Sequence, residues 1–62
     1  MEDTPRELKH CSTGSAELAL VEYPNWSRYQ VEAFRPDGGF LVCATDDPQT
    51  AEAVYLRASF IL

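Results

Sequence analysis

The stretch that decides the fold is residues 26–45, which read WSRYQVEAFRPDGGFLVCAT. Two runs in it, Ser27–Arg35 and Phe40–Thr45, have the alternating apolar pattern that is typical of half-buried β-strands. The tetrapeptide Pro36-Asp37-Gly38-Gly39 separates these two runs. Because a type I′ turn needs a positive φ at both central residues, an Asp-Gly pair between two such runs predicts a β-hairpin.

The preceding stretch, Ser15–Tyr23, is helical by propensity but is followed by a turn signal, Tyr23-Pro24-Asn25-Trp26. If Pro24-Asn25 and Asp37-Gly38 are both two-residue loops, the two hairpins place the same apolar residues on one face. A slip of one residue in either hairpin would destroy that agreement. We therefore predict a three-stranded antiparallel meander with an apolar face formed by Ala16, Leu18, Leu20, Tyr29, Val31, Ala33, Phe40, Val42 and Ala44.

The last segment is predicted to be a helix, with Asp47 as its N-cap and Pro48 at its first position. At 100° per residue, one side of this helix carries an apolar stripe that should cover the apolar face of the sheet. The stripe comprises Ala51, Val54, Tyr55, Ala58, Ile61 and Leu62.

A short N-terminal helix is predicted over Pro5–Ser12, after a frayed end at Met1–Thr4. Thr4 and Glu7 form a capping box, and Gly14 can end the helix. The expected fold is therefore a single α+β domain over residues 1–62, in the order α-β-β-β-α.

Leu56 and Phe60 do not belong to the apolar stripe of the C-terminal helix, since they lie four residues apart on its far side. Three explanations remain open. The Pro5–Ser12 helix could cover them through Leu8, the chain could leave helical geometry near Ser59, or they could form an interface with a partner or a second copy of the chain.

The charge balance favours a basic partner. Ten acidic residues face five basic ones, which gives a net charge of −5, and such a surface repels nucleic acid and anionic membranes. The alternative is that this charge only keeps a small protein soluble.

Carboxylates along a rigid scaffold can occupy the positions that the phosphates of DNA would take. The predicted partner-binding residues are Glu17, Glu32, Asp37, Asp46 and Asp47, with Tyr23 and Trp26 as aromatic anchors.

The sequence contains no phosphate-binding loop, nucleophile elbow, dinucleotide fingerprint or zinc-ligand spacing, and His10 is its only histidine. We therefore expect no enzymatic activity, metal or cofactor. No N-terminal apolar segment or membrane-length run is present, which predicts a cytoplasmic protein with reduced Cys11 and Cys43.

The hairpin through Pro36-Asp37-Gly38-Gly39, followed by Thr50-Ala51-Glu52-Ala53-Val54-Tyr55-Leu56, resembles the arm-binding domains of phage-type integrases. The resemblance implies a three-stranded sheet with a C-terminal helix and a sheet face that lies on DNA. The integrase sheets are rich in Lys and Arg, whereas here the strands set Arg28 and Arg35 against Glu17 and Glu32.

As a short, acidic, single-domain chain without enzymatic motifs, the protein also resembles phage-encoded anti-CRISPR proteins, and among them inhibitors of type I-C surveillance complexes. This resemblance implies DNA mimicry in the bacterial cytoplasm, by a monomer that occupies the basic groove of a Cas subunit and binds no nucleic acid itself. A third alternative is a regulatory or immunity-type module that binds a protein through Leu56, Phe60 and the aromatic residues.

Overall fold

The computed structural model of the protein describes residues 4–24 and 28–62. Within these residues, four strands form one antiparallel sheet in the order β1-β2-β3-β4, and a single helix follows. The prediction of an α+β fold with a C-terminal helix is confirmed, but the element order is β-β-β-β-α. The elements are β1 (Arg6–Ser12), β2 (Glu17–Tyr23), β3 (Arg28–Arg35), β4 (Gly38–Thr45) and α1 (Pro48–Ile61).

The predicted N-terminal helix over Pro5–Ser12 is wrong, because this segment forms β1 and pairs with β2. A two-turn helix has little stability of its own, whereas the free edge of β2 offers a row of backbone groups that an added strand satisfies. Thr13 closes the β1–β2 connection, where its Oγ1 accepts a 3.0 Å hydrogen bond from the backbone N–H of Ala16. Of the predicted frayed end, residues 1–3 lie outside the described residues.

The segment with helical propensity is a strand, as predicted, but its pairing with β3 is displaced by two residues. Leu20 lies opposite Val31 and Leu18 lies opposite Ala33. The connection therefore spans residues 24–27 instead of two residues, and Asn25 is among those outside the described part. Because side chains alternate with a period of two, a shift of two residues leaves every side chain on its predicted face.

The β3–β4 hairpin turns at Pro36-Asp37 and not at Asp37-Gly38, since Arg35 pairs with Gly38. The proline ring fixes φ near −65°, so Pro36 suits the first central position of an ordinary turn. The positive φ falls on the next residue, Gly38, at 141°, a conformation that favours glycine. The sequence thus predicted the hairpin correctly and placed its turn one residue too late.

Val42 is the extra residue of a β-bulge in β4, between Leu41, which pairs with Glu32, and Cys43. Beyond the bulge, the side chains lie on the face opposite to the predicted one. Val42 and Cys43 both pack against the core. Ala44 was predicted on the apolar face and is instead exposed on the other side of the sheet.

Helix α1 packs on β2, β3 and β4, and the core lies between the helix and the sheet. The predicted stripe is confirmed for its buried members, Ala51, Tyr55 and Ala58. Ile61 was predicted to be part of it, but 69% of this residue is exposed, because it lies at the margin of the stripe. The core cluster comprises Leu18, Leu20, Val31, Ala33, Ala51, Tyr55 and Ala58.

Tyr55 brings the only large polar side chain of the helix into this core. Burial, together with a hydrogen bond to Cys11, raises the pKa of Tyr55 to about 12. The phenol therefore stays neutral at physiological pH, which suits its place against Leu18 and Leu20.

Cys11 and Cys43 are both free and half-buried. They lie in the two edge strands, on the helix side of the sheet, with β2 and β3 between them. Three strand spacings separate edge strands by about 14 Å, well beyond the Cα separation that a disulfide bridges. The folded sheet therefore keeps these two thiols apart.

No helix in the described residues has both the length and the apolar character that crossing a bilayer requires.

Replacing Leu18, which is completely buried, with alanine should lower the free energy of unfolding by about 2–5 kcal/mol. The loss should be a large share of the total stability, which is small in a domain of this size. Urea denaturation followed by circular dichroism measures it. The matched control is L41A, at a residue that is 54% exposed, where a change within about 0.5 kcal/mol is expected. Equal losses in the two variants would contradict the described core.

Candidate functional site

The outer face of the sheet, defined here as the side away from α1, has a small apolar centre. Ala19 and Val21 are only 2% and 8% exposed, although no helix covers them. Ala19 lies between His10 of β1 and Glu32 of β3, whose longer side chains shield it. The outer face is therefore a layer of polar side chains over small apolar residues, a cover that the alternating pattern alone did not predict.

Glu32 and Tyr23 meet on this outer face. The Tyr23 hydroxyl donates a 2.7 Å hydrogen bond to Oε2 of Glu32. This bond to the carboxylate is the main cause that raises the pKa of Tyr23 above its ordinary value. The contact holds the Glu32 carboxylate in a defined position, and it joins two of the predicted binding residues.

The predicted register, with Pro24-Asn25 as a two-residue loop, would place Glu17 directly opposite Glu32. In the structure these two residues are not opposite each other. Glu17 lies opposite Phe34, and Glu32 lies opposite Ala19, because the β2–β3 pairing is displaced by two residues. Glu17 instead has the ring of His10 at 3.2 Å from its Oε1. The expected repulsion between two directly opposed carboxylates is therefore relieved.

The remaining predicted acids lie at the two ends of the β3–β4 hairpin. Asp37 lies in the turn before β4, and Asp46 and Asp47 follow its last residue. The length of an eight-residue strand, about 26 Å, separates these ends. The structure thus spreads the predicted acids along the sheet, and Trp26, the second predicted aromatic anchor, lies outside the described residues.

Asp47 is the N-cap of α1, as predicted. Its carboxylate accepts hydrogen bonds from the backbone N–H of Gln49 at 3.1 Å and from the Thr50 hydroxyl at 2.7 Å. These bonds favour the charged form and lower the pKa of Asp47. Part of its hydrogen-bonding capacity is therefore used by the fold, so Asp47 has a structural role in addition to any binding role.

Two basic residues of β1 are paired with acids outside the predicted set. Arg6 lies 2.6 Å from the Glu22 carboxylate, and Lys9 lies 3.1 Å from that of Glu52 on the helix. In residues 4–24 and 28–62, neither Asp37 nor Asp46 has a salt bridge or a side-chain hydrogen bond. The pairing on β1 does not extend to Asp37 and Asp46, which lie at the two ends of the β3–β4 hairpin, where β3 also carries Arg28 and Arg35.

Leu56 and Phe60 form an exposed apolar patch on the side of α1 that faces away from the sheet. Phe60 is 88% exposed, and Leu56 is exposed as well. The proposed cover by a Pro5–Ser12 helix is wrong, because that segment is part of the sheet, on the opposite side of α1. The patch therefore remains uncovered by the described part of the chain.

Three apolar residues around β4 are exposed, namely Phe34, Phe40 and Leu41, and of these Phe40 was predicted on the apolar face that the helix should cover. The Phe34 ring lies over Gly39, where a Cβ atom would approach it to 3.0 Å. Phe40 lies under the Arg35 guanidinium, at 5.3 Å from the ring centroid. The feature of the sequence that could have drawn attention to this region is the absence of charged residues from β4.

The capping role of Asp47 gives a prediction with a pH dependence. D47A should lower the thermal midpoint at neutral pH, whereas D47N should retain most of the stability, because asparagine also caps helices well. Since the pKa of Asp47 is lowered on folding, its stabilising effect is complete above the ordinary value of 3.8 and is lost as the pH falls through the lower folded value.

Thermal melts of the three proteins at neutral pH and well below the ordinary carboxyl pKa measure this effect. The advantage of the natural protein over D47N should shrink in acid. A constant difference between these two proteins would contradict a capping carboxylate. D46A is the matched control, because Asp46 makes no capping bond, and it should melt close to the natural protein.

No cluster of three potential metal ligands occurs among residues 4–24 and 28–62. Searches against protein-family models, curated proteins and solved structures found no match to this chain.

Proposed function

We propose that this protein is a non-enzymatic inhibitor that binds the basic, nucleic-acid-binding surface of a protein complex through acidic side chains. The proposed target is the subunit of a type I CRISPR–Cas complex that receives target DNA in the bacterial cytoplasm. The observation that carries the proposal is the position of Glu32, Asp37 and Asp46 along one rigid hairpin. None of these carboxylates has a basic partner among the described residues.

The length of the β3–β4 hairpin suits a mimic of one DNA strand, with three carboxylates taking the place of a few of the phosphates. The β3–β4 hairpin holds acids at both ends and near its middle, over about 26 Å. One strand of duplex DNA carries a phosphate about every 3.4 Å, so the hairpin is about as long as seven or eight phosphates. Backbone pairing on β3 fixes the hairpin in advance, which reduces the ordering cost of binding.

Tyr23 supports the same interpretation. Its hydroxyl orients the Glu32 carboxylate, and its ring adds aromatic area beside the charge. Trp26, which follows in the β2–β3 connection, is retained in the proposal as the second aromatic anchor.

The integrase-like alternative has less support. The sheet has four strands where the resemblance implied three, and the outer face offers Arg28 against Glu17 and Glu32. A chain with net charge −5 gains little from counterion release on DNA. Duplex DNA binding at moderate salt in a mobility-shift assay would overturn our proposal.

The direct test uses a purified type I-C surveillance complex and measures how strongly the protein prevents it from binding target DNA. The double variant D37K/D46K should weaken inhibition about tenfold or more, and inhibition by the natural protein should fall steeply with salt. The matched control is E2K/E7K, which makes the same change in net charge at residues outside the hairpin in sequence.

The control separates a local effect from a general one. Circular dichroism confirms that each variant is folded. If both double variants lose inhibition equally, net charge and not the hairpin is responsible. If neither loses it, electrostatic mimicry is wrong.

A second candidate function follows from the Leu56–Phe60 patch, whose exposure is high for a helix of this size. In that case the protein is a regulatory or immunity-type module that binds its partner through an apolar contact. F60S should then abolish inhibition in the same assay while D37K/D46K retains it.

Sedimentation at several concentrations, with F60S as the control, tests whether the patch instead pairs two copies. A constant monomer mass excludes self-association.

A further inference from the structure

Strand β4 is an open edge of the sheet without a charged side chain. It is the last strand in the order β1-β2-β3-β4, so within the described residues one side of its backbone has no neighbouring strand. Its sequence, GGFLVCAT, is apolar or small throughout, and Phe40 and Leu41 are exposed. Such an edge can pair with another chain, and proteins usually block it with charges.

Strand β1, at the opposite edge of the sheet, has features that block pairing with another chain. Strand β1 carries Arg6, Glu7, Lys9 and His10, and its register is broken at Leu8. Charged side chains and a bulge are the ordinary devices against edge-to-edge pairing. The two edges of the same small sheet therefore differ, and β4 has only the bulge at Val42.

An apolar groove runs between β4 and the helix. It is open, has a volume of about 330 Å³, and is lined by Val42, Ala53, Val54, Arg57, Ala58 and Ile61. A strand added to β4 would point alternate side chains towards the helix side of the sheet, where this groove begins. The groove explains how Ile61, largely exposed here, could be covered.

We propose that β4 is a docking edge for an extended segment of a partner protein, which adds to the sheet as a fifth strand. The segment has apolar residues at alternate positions, so that they enter the groove beside Val42 and Ile61. It carries Lys or Arg at both ends, because acids bracket the edge, with Asp37 before Gly38 and Asp46 after Thr45.

The same bracketing argues against a second copy of this chain as the occupant. Antiparallel pairing of two β4 strands brings Asp37 of each copy towards Asp46 of the other. Parallel pairing brings each of these acids towards its own counterpart. Both arrangements place like charges together at the ends of the interface, which is unfavourable.

This inference goes beyond the proposed function. It uses two of the same acids, Asp37 and Asp46, but it requires only that the partner present a strand, whether or not the partner handles nucleic acid. Pairing through a single edge, interrupted by a bulge, buries a small area, so a weak complex is expected.

The test uses the full chain, labelled with ¹⁵N, and a synthetic peptide of alternating valine and threonine with two lysines at each end. Peptide binding should slow exchange about tenfold or more at the amides of residues 38–45 that point to the open edge, and leave the amides of β1 unchanged. The same peptide with its central amides N-methylated keeps the side chains and charges but cannot pair, and it should not bind detectably.

Two adjacent helix residues supply matched variants. I61E places a carboxylate in the groove and should weaken peptide binding about tenfold or more. F60E makes the same change at a residue outside the groove and should weaken binding less than about twofold. Both residues are largely exposed, so both variants should fold, which circular dichroism checks.

Each other outcome overturns the proposal. Unchanged exchange of the β4 amides at millimolar peptide shows that the edge does not accept a strand. Equal binding of the N-methylated peptide shows that charge alone attracts it. Slow exchange of the β4 amides without peptide, together with a dimer mass in sedimentation, shows that a second copy occupies the edge. None of these results bears on whether D37K/D46K abolishes inhibition, so the two proposals fail separately.

Discussion

The rest of the structure depends on β2, which is paired along both edges and buried on both faces. Four consecutive residues, Leu18 to Val21, are buried. Leu18 and Leu20 form the core with the helix, and Ala19 and Val21 lie under the side chains of neighbouring strands. A strand covered on both faces reads as a continuous apolar run, which is why its sequence also fits a helix.

The double pairing of β2 explains the role of the N-terminal segment. In a three-stranded meander, β2 would be an edge strand, and its apolar residues would border an open row of backbone groups. Strand β1 provides hydrogen-bond partners for that row of backbone groups. It also brings Lys9 to Glu52 on the helix and Cys11 to Tyr55. The edge position thereby passes to β1, whose charged residues suit it.

The distribution of charge follows from the same arrangement. The cations of β1 lie close to Glu22 and Glu52. Among the described residues, Asp37 and Asp46 at the ends of the β3–β4 hairpin have no salt bridge. Asp47 is engaged in capping the helix, and Glu32 is held by Tyr23. The hairpin therefore combines a rigid frame, unpaired carboxylates at its ends and an uncharged edge between them, which is the combination that both proposals use.

The sequence by itself determined the local features: a hairpin within Pro36-Asp37-Gly38-Gly39, the cap at Asp47, the start of the helix, and which residues of β2 and β3 share a face. These depend on turn chemistry, capping and a period of two, all of which act within a few residues. Only the tertiary structure decided that Pro5–Ser12 is a strand, because its state depends on the edge of β2 that it meets. It also decided the register between β2 and β3 and the bulge at Val42. Since a two-residue shift preserves the faces, the apolar pattern could not distinguish between the registers.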